Sequence, residues 1–399
     1  MRKRLLYSTV IDNLKTKHIL LIIGARQTGK TTVMNQVRNE LKKKKKTTFF
    51  LTMEDKKMRK LLDQHPDNLF QIIPPINKKA TNFIFIDEIQ YLEDPTNFLK
   101  YHSDLNKHNL KFIVSGSSSF YIDEKFSDSM AGRKRLFELN SLSFEEFLQF
   151  KDREEFVNYL NIGKLPILYE KELQTLMSEY VIYGGYPEVV TSQNIDDKKA
   201  TLKELANSYI KKDALEANLK NTETYFHLMR ILAFQTGSLT NASEIGRDLK
   251  ISTPTIEKYL NVMRKVFHIS TIQPFSGNFS KEIRKMPKTY FNDLGLRNYF
   301  VRDFSPLPLR NDIGALFENF IFRRFLDNYD ILDIQFWRTQ KMQEVDFVIQ
   351  QKKAFEVKFS EKNIKPKKYE YFQSKYPNIN LEFLTFENVL SSANMYPEK

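Results

Sequence analysis

HILLIIGARQTGKTTVMNQVRNEL, residues 18–41, sets an apolar run, a glycine-framed loop and an amphipathic stretch in immediate succession. The apolar run reads as a buried strand and the last part as a helix. The loop between them fits G-x-x-x-x-G-K-[ST] at Gly24, Gly29, Lys30 and Thr31. Glycines there let backbone N–H groups close around phosphates, a lysine at that spacing reaches the terminal phosphates, and the hydroxyl ligates Mg²⁺ at the helix N-terminus. The expected cradle for ATP and Mg²⁺ is therefore Gly24, Ala25, Arg26, Gln27, Thr28, Gly29, Lys30, Thr31 and Thr32.

TNFIFIDEIQ, residues 81–90, supplies the second half of such a site. Phe83 to Ile86 form a buried parallel strand. Asp87 falls at its C-terminal end, where α/β sheets bind ligands, and is placed to hold Mg²⁺ through water. Glu88 follows at once, positioned to orient or deprotonate an attacking water, which favours hydrolysis over transfer. A third strand, LKFIVSGSSSF, ends in Ser115, Gly116 and Ser117. A hydroxyl there touches the γ-phosphate or the lytic water, or the run is only a Ser/Gly turn. In MAGRKRLFELNSLSFEEFL, Arg133 and Arg135 are candidates for an arginine finger or sensor, in cis or in trans, against the alternative of ordinary surface residues.

The chain has 399 residues, a net charge of +13 and a pI near 9.4. That length implies several domains. The charge suits a nucleic-acid partner, although a bias toward Lys, Asn, Phe and Tyr accounts for it as well. The KKKKK run at 42–46 reads as a solvated helix end. There are no cysteines, which excludes disulfides, cysteine-ligated zinc and iron–sulfur clusters. The first apolar run is far shorter than a membrane span and leads into the loop, which argues against a signal peptide. A cytoplasmic location, without membrane association, is expected.

Toward the C-terminus, NASEIGRDLKISTPTIEKYLNVMRKVFHI reads as a helix–turn–helix with its turn at Lys250. Ile256, Leu260, Met263 and Phe267 recur at helical spacing toward a core, which leaves Thr255, Lys258 and Arg264 facing outward. Such a face suits a DNA major groove, or the unit is a spacer or protein contact. YGGYPEVV marks a turn within an otherwise helical region, and segment 271–288 is the expected boundary before the last domain. There, ALFENFIFRRFLDNY is an amphipathic helix carrying Glu318, followed by the strands EVDFVI and AFEVKFS. Alternation places Val345, Phe347, Ile349, Phe355, Val357 and Phe359 on one face and Asp346, Glu356 and Lys358 on the other. Carboxylates on neighbouring strands can share one Mg²⁺.

These stretches together, GARQTGKTT, FIFIDEIQ, VSGSSSF, AGRKRLFEL, YGGYPEVV, PKTYFNDLGLRNYF, LFENFIFRRF and EVDFVI with FEVKFS, resemble the bacterial and archaeal AAA-type P-loop ATPases that carry a C-terminal domain of unknown function. The resemblance covers nearly the whole chain. It implies an α/β fold: a P-loop NTPase parallel-sheet domain over 1–150, a helical lid over 151–235, a winged helix–turn–helix over 236–285, and a restriction-endonuclease-like domain over 286–399. It favours Arg133 as the nucleotide-sensing arginine and marks Asp213 as a family position. The spacing D-x9-E-x-K, with an acidic residue on the preceding helix, resembles the PD-(D/E)XK nuclease fold. By that resemblance Asp346 and Glu356 bind Mg²⁺, Glu318 supports the metal or its water, and Lys358 orients or activates water. Val345 stands where the namesake motif has proline. The resulting expectation is an ATPase coupling nucleotide state to a DNA-directed activity, either metal-dependent cleavage or binding alone by a nucleotide-gated switch. Its oligomeric state is open.

Overall fold

A computed structural model describes residues 2–77, 79–105, 109–116, 130, 132–163, 165–216, 219, 221–275, 286–392 and 395. The chain forms two compact units, Met1–Asn140 with Lys265–Phe267, and Ser141–Arg264 with His268–Lys399.

The first unit is built on β1 (Ile19–Ile23), β2 (Thr47–Thr52), β3 (Asn82–Asp87), β4 (Leu110–Gly116) and β5 (Lys134–Glu138). They pair in the order β2-β3-β4-β1-β5, every pair parallel. Along β1, Ile19, Leu21 and Ile23 enter one core while Leu20 and Ile22 enter the other. Burial on both faces explains the apolar runs that betray β1, β3 and β4 in the sequence. One face is covered by Val10 of α1 (Leu6–Asn13) and by Val33, Met34, Val37 and Leu41 of α2 (Lys30–Lys43). The other is covered by Leu62, Leu69 and the Phe98–Leu99 pair of α3 (Pro95–Leu105).

The main segment of this unit runs to Asn140. The helix Phe144–Phe150 starts with a capping box between Ser143 and Glu146, and Phe144, Phe147 and Leu148 join the core of the second unit.

The second unit opens with helices, among them Ile167–Tyr183, Ile195–Glu216 and α4 (Thr222–Phe234). Next come α5 (Ala242–Leu249) and α6 (Thr253–Lys265), separated by Lys250 in the left-handed conformation. The strands β6 (Ile269–Pro274), β7 (Lys288–Phe291), β8 (Ile334–Arg338), β9 (Glu344–Ile349), β10 (Lys353–Val357) and β11 (Asn380–Leu384) make a mixed sheet ordered β11-β10-β9-β8-β6-β7. Of the segment 271–288, residues 271–274 belong to β6 and Lys288 opens β7; β6 pairs antiparallel with β7 and parallel with β8. The helices α7 (Leu294–Val301) and α8 (Ile313–Asn328) lie between β7 and β8 in sequence. Leu316, Phe317, Phe320, Ile321 and Phe325 of α8 pack with Phe347, Ile349, Phe355 and Val357. Among the described residues no helix is long and apolar enough to cross a membrane.

Candidate functional site

The loop after β1 is held tightly from below. Gly24 has φ +155°, and a Cβ there would lie 2.1 Å from the Leu139 carbonyl oxygen, so the backbone approach admits no side chain. Gly29, at φ +95°, turns the chain into α2. Arg4, which the sequence presents only as part of a basic start, braces this loop: its guanidinium donates to the Thr28 carbonyl at 2.5 Å and to the Asn140 carbonyl at 2.9 Å. The buried Lys30 ammonium donates to the carbonyls of Gly24 and Ala25 at 2.9 and 2.8 Å. It therefore lies within the loop's own concavity, next to backbone it would share with a phosphate.

Thr31 and Asp87, each expected near Mg²⁺, are brought together. The Thr31 hydroxyl donates to Asp87 Oδ2 at 2.7 Å. These are neighbouring hard oxygen donors, the chemistry Mg²⁺ takes from a protein when phosphates and water complete its shell. Ser115 is fully buried, donates to Asp87 Oδ1 and accepts the Glu88 amide at 3.1 Å. Its hydroxyl thus joins Asp87 to the Glu88 backbone at this corner. Glu88 has φ +55° and ψ +49°, an uncommon conformation for a residue with a side chain. Its carboxylate is bonded by the Gln90 amide. Ser117 lies outside the described residues, as does the side chain of Asp213.

The arginines are elsewhere. The Arg133 carbonyl accepts the Ile19 amide at 2.8 Å, and Arg135 is paired in register with Leu20. Both therefore flank the start of β1, whereas the loop follows its end at Ile23. The Arg133 side chain binds Asp104 at 2.7 Å at the surface, and that of Arg135 donates to Asn13. A nucleotide-sensing role for Arg133 in cis is not compatible with this placement, because parallel pairing carries β5 past the P-loop end only at Glu138.

On α6, Lys258 and Arg264 are exposed, and Ile256, Leu260 and Met263 are buried. Thr255 is half-buried and its hydroxyl bonds Ser252 Oγ at 2.8 Å, so it serves the start of the helix.

The acidic group on the second sheet departs from simple alternation. Between Gln335 and Trp337 the β8–β9 register shifts, with Gln335 opposite Val348 and Trp337 opposite Val345. The extra residue on β9 is a bulge at Asp346–Phe347, and it inverts the faces on either side. Val345 consequently packs with Val348 and Ala354, away from Phe347. Asp346 sits where β9 and β10 part, its Oδ2 accepting the Val357 amide at 2.9 Å. Lys358 donates to Glu356 at 2.5 Å and stands 4.0 Å from Asp346. Tyr369 also donates to Glu356, at 2.5 Å. Burial and the nearby Asp346 push the Glu356 carboxyl up to about 7.

Glu318 and Asp346 do not close on a shared gap with Glu356. The Lys288 ammonium, from β7, lies 2.6 Å from Glu344, 3.2 Å from Glu318 and 3.6 Å from Asp346. Tyr290 donates to Glu318 at 2.6 Å. Burial pushes the Glu318 carboxyl up to about 7, against the pull of Lys288. Burial opposes the charge on Lys288 too, but Glu318, Asp346 and Glu344 outweigh it and hold the amine above its ordinary range. Among the described residues no three His, Asp or Glu side chains come together as a metal-binding set. The expected Mg²⁺ ligands Glu318, Asp346 and Glu356 do not fit that ion, because an internal cation already stands between two of them. Lys288, Glu344, Tyr290 and Tyr369 were missed in the sequence; the one signal was a lysine opening the apolar run KTYF.

Residues 16–148 match the family model of the AAA domain. Residues 174–307 and 313–391 match two domains of unknown function, DUF8612 and DUF4143. The chain thus joins an AAA P-loop ATPase domain to two further domains without an assigned role. An uncharacterized protein of Methanocaldococcus jannaschii, MJ1544, is 26% identical over 93% of this chain and 82% of its own length. An uncharacterized protein of Haemophilus influenzae is 27% identical over 72% of this chain and 70% of its own. Among solved structures, the replication initiator DnaA bound to AMPPCP and single-stranded DNA aligns with TM-score 0.30 and 16% identity, over 65% of this chain and 86% of its own. The Thermotoga maritima RuvB Holliday junction branch migration motor aligns with TM-score 0.30 and 13% identity, over 66% and 86%. Overlaps that low add nothing to the AAA assignment.

Proposed function

We propose that the AAA domain binds and hydrolyses ATP, and that its nucleotide state controls a DNA-directed activity of the second unit. The observation that carries the first half is the chain of contacts from Thr31 through Asp87 to Ser115 and the Glu88 amide, beside the Gly24–Lys30 loop. The loop's amides and Lys30 bind the phosphates. Glu88, held at a strained corner, orients the attacking water and takes its proton. Thr31 and Asp87 would hold Mg²⁺, which when bound offsets phosphate charge.

Calorimetry and phosphate release on two variants test this. Lys30→Ala should lose ATP binding, and Glu88→Gln should bind ATP but not turn it over. Normal turnover by Glu88→Gln would remove the role given to that carboxylate.

For the second half, the exposed Lys258 and Arg264 on α6 support DNA binding by a nucleotide-gated switch. The rival reading, Mg²⁺-dependent cleavage by Glu318, Asp346, Glu356 and Lys358, has against it the Lys288 ammonium set between Glu318 and Asp346.

A further inference from the structure

Lys288 is 1% exposed, yet its amine faces three carboxylates from two separate segments of the chain, Glu318 on α8 and Glu344 and Asp346 on β9. A lone buried ammonium would be strongly disfavoured, and so would three facing carboxylates without a counter-ion. Each therefore requires the other. The cluster is closed at its edges. Arg338 takes the second oxygen of Glu344 at 2.8 Å, Tyr290 takes Glu318, and the Val357 amide takes Asp346 Oδ2. The Phe336 ring lies 5.5 Å from the amine. At Gly237 even a Cβ would come within 3.0 Å of Glu318 Oε1, so backbone walls the carboxylate from that side.

Oxygens at 2.6 to 3.6 Å from the nitrogen leave a space sized for an ammonium. Mg²⁺ draws its ligands in to about 2.1 Å. To enter, it would have to expel Lys288 into an interior that offers that charge no other partner among the described contacts. We infer, from this cluster alone and independently of the nucleotide site, that the acidic face of the second sheet is a cation site whose resident cation is the Lys288 ammonium. The lysine stands in for a divalent metal, ties β7 to α8 and β9, and leaves the face without metal-dependent phosphodiester chemistry. Removing the lysine uncovers a metal site made of Glu318, Glu344 and Asp346.

Mn²⁺ titration followed by electron paramagnetic resonance, without nucleotide, tests this on the full chain. Wild type and Asp346→Asn should bind Mn²⁺ alike, since Asp346 has no metal to lose. Lys288→Met should gain one equivalent, held at least about 10-fold more tightly than any wild-type site, as a buried carboxylate set deprived of its counter-ion seeks another. Adding Asp346→Asn to Lys288→Met should abolish the gain. One equivalent bound by wild type and lost in Asp346→Asn would overturn the inference, as would a folded Lys288→Met that gains none. If Lys288→Met does not fold, the comparison of wild type with Asp346→Asn decides by itself. Because no nucleotide is present, the outcome is separate from whether the AAA domain hydrolyses ATP.

Discussion

The Arg133 carbonyl accepts the Ile19 amide at 2.8 Å, at the end of β1 farthest from the P-loop. The guanidinium there is tied to Asp104 at the surface, an exposed pair of the kind that contributes about 0–1 kcal/mol. Arg133→Ala should therefore leave the fold and the ATP affinity of a single protomer unchanged. Any loss of turnover should appear only as protein concentration rises, where one copy can present Arg133 to another. A fall in turnover that persists at the greatest dilution would return the residue to a role within its own protomer.

Ser115 joins Asp87 to the Glu88 amide from a fully buried position. Ser115→Ala leaves that amide without its partner, a loss on the order of 1–3 kcal/mol. Expressed in the placement of Glu88, this corresponds to a drop in kcat of roughly 10- to 100-fold. ATP affinity should change little, because Lys30 and its loop do not bond Ser115. Ser115→Thr keeps the hydroxyl and should restore most of the rate. Equal losses in both variants would show that side-chain volume, not the hydrogen bonds, matters at this position.

The AAA half was legible because its signals are local. Five apolar residues, two glycines, a lysine and a threonine fall within residues 19–31, and Asp87 ends a run buried on both faces. The helices α5 and α6 were legible for the same reason, since Ile256, Leu260 and Met263 obey one period. The second sheet was not, for two physical reasons. A period-two reading assumes unbroken register, and the bulge at Asp346–Phe347 moves Val345 to the other face. Lys288 looks like an ordinary strand-edge residue until carboxylates from α8 and β9 fold onto it, a meeting of distant segments that no local pattern encodes. The helix Phe144–Phe150 shows the same limit: its apolar side is evident in the sequence, but not which core receives it.

Asp327 gives the second unit a pH dependence. Burial pushes its carboxyl from 3.8 up to about 7, Arg323 opposes that rise, and Glu145 and Glu146 add to it. A raised value means the folded state keeps a proton that the unfolded chain has released. The associated stability is fully present below the ordinary value and is lost as pH rises through about 7. Glu318 and Glu356, also at about 7, act in the same direction. The melting temperature of this unit should fall between about pH 5 and about pH 8, and should fall less in Asp327→Asn, which has no proton to lose. Asn keeps an oxygen for Arg323, which also donates to the Ser141 carbonyl at 3.1 Å. Identical slopes in the two proteins would mean that Asp327 is already ionised throughout this range.

The exposed side of α6 makes the DNA half of the proposal measurable. Lys258 and Arg264 are exposed, while the Thr255 hydroxyl is engaged by Ser252. Only the two cations are thus free to meet a phosphate backbone without disturbing the helix. Each phosphate they neutralise releases a counter-ion, so Lys258→Ala and Arg264→Ala should each flatten the plot of log affinity against log salt by about 1. A backbone contact carries no base information, so the loss should be uniform across DNA sequences. Thr255→Ala should act differently, loosening the start of α6 and lowering stability rather than the salt slope. If affinity and slope are unchanged in both cation variants while the fold is intact, α6 is a structural element and DNA is held elsewhere or not at all. Repeating the titrations with a non-hydrolysable ATP analogue then separates binding from its control: a gated switch requires an affinity that differs with nucleotide in wild type and is insensitive to it in Lys30→Ala.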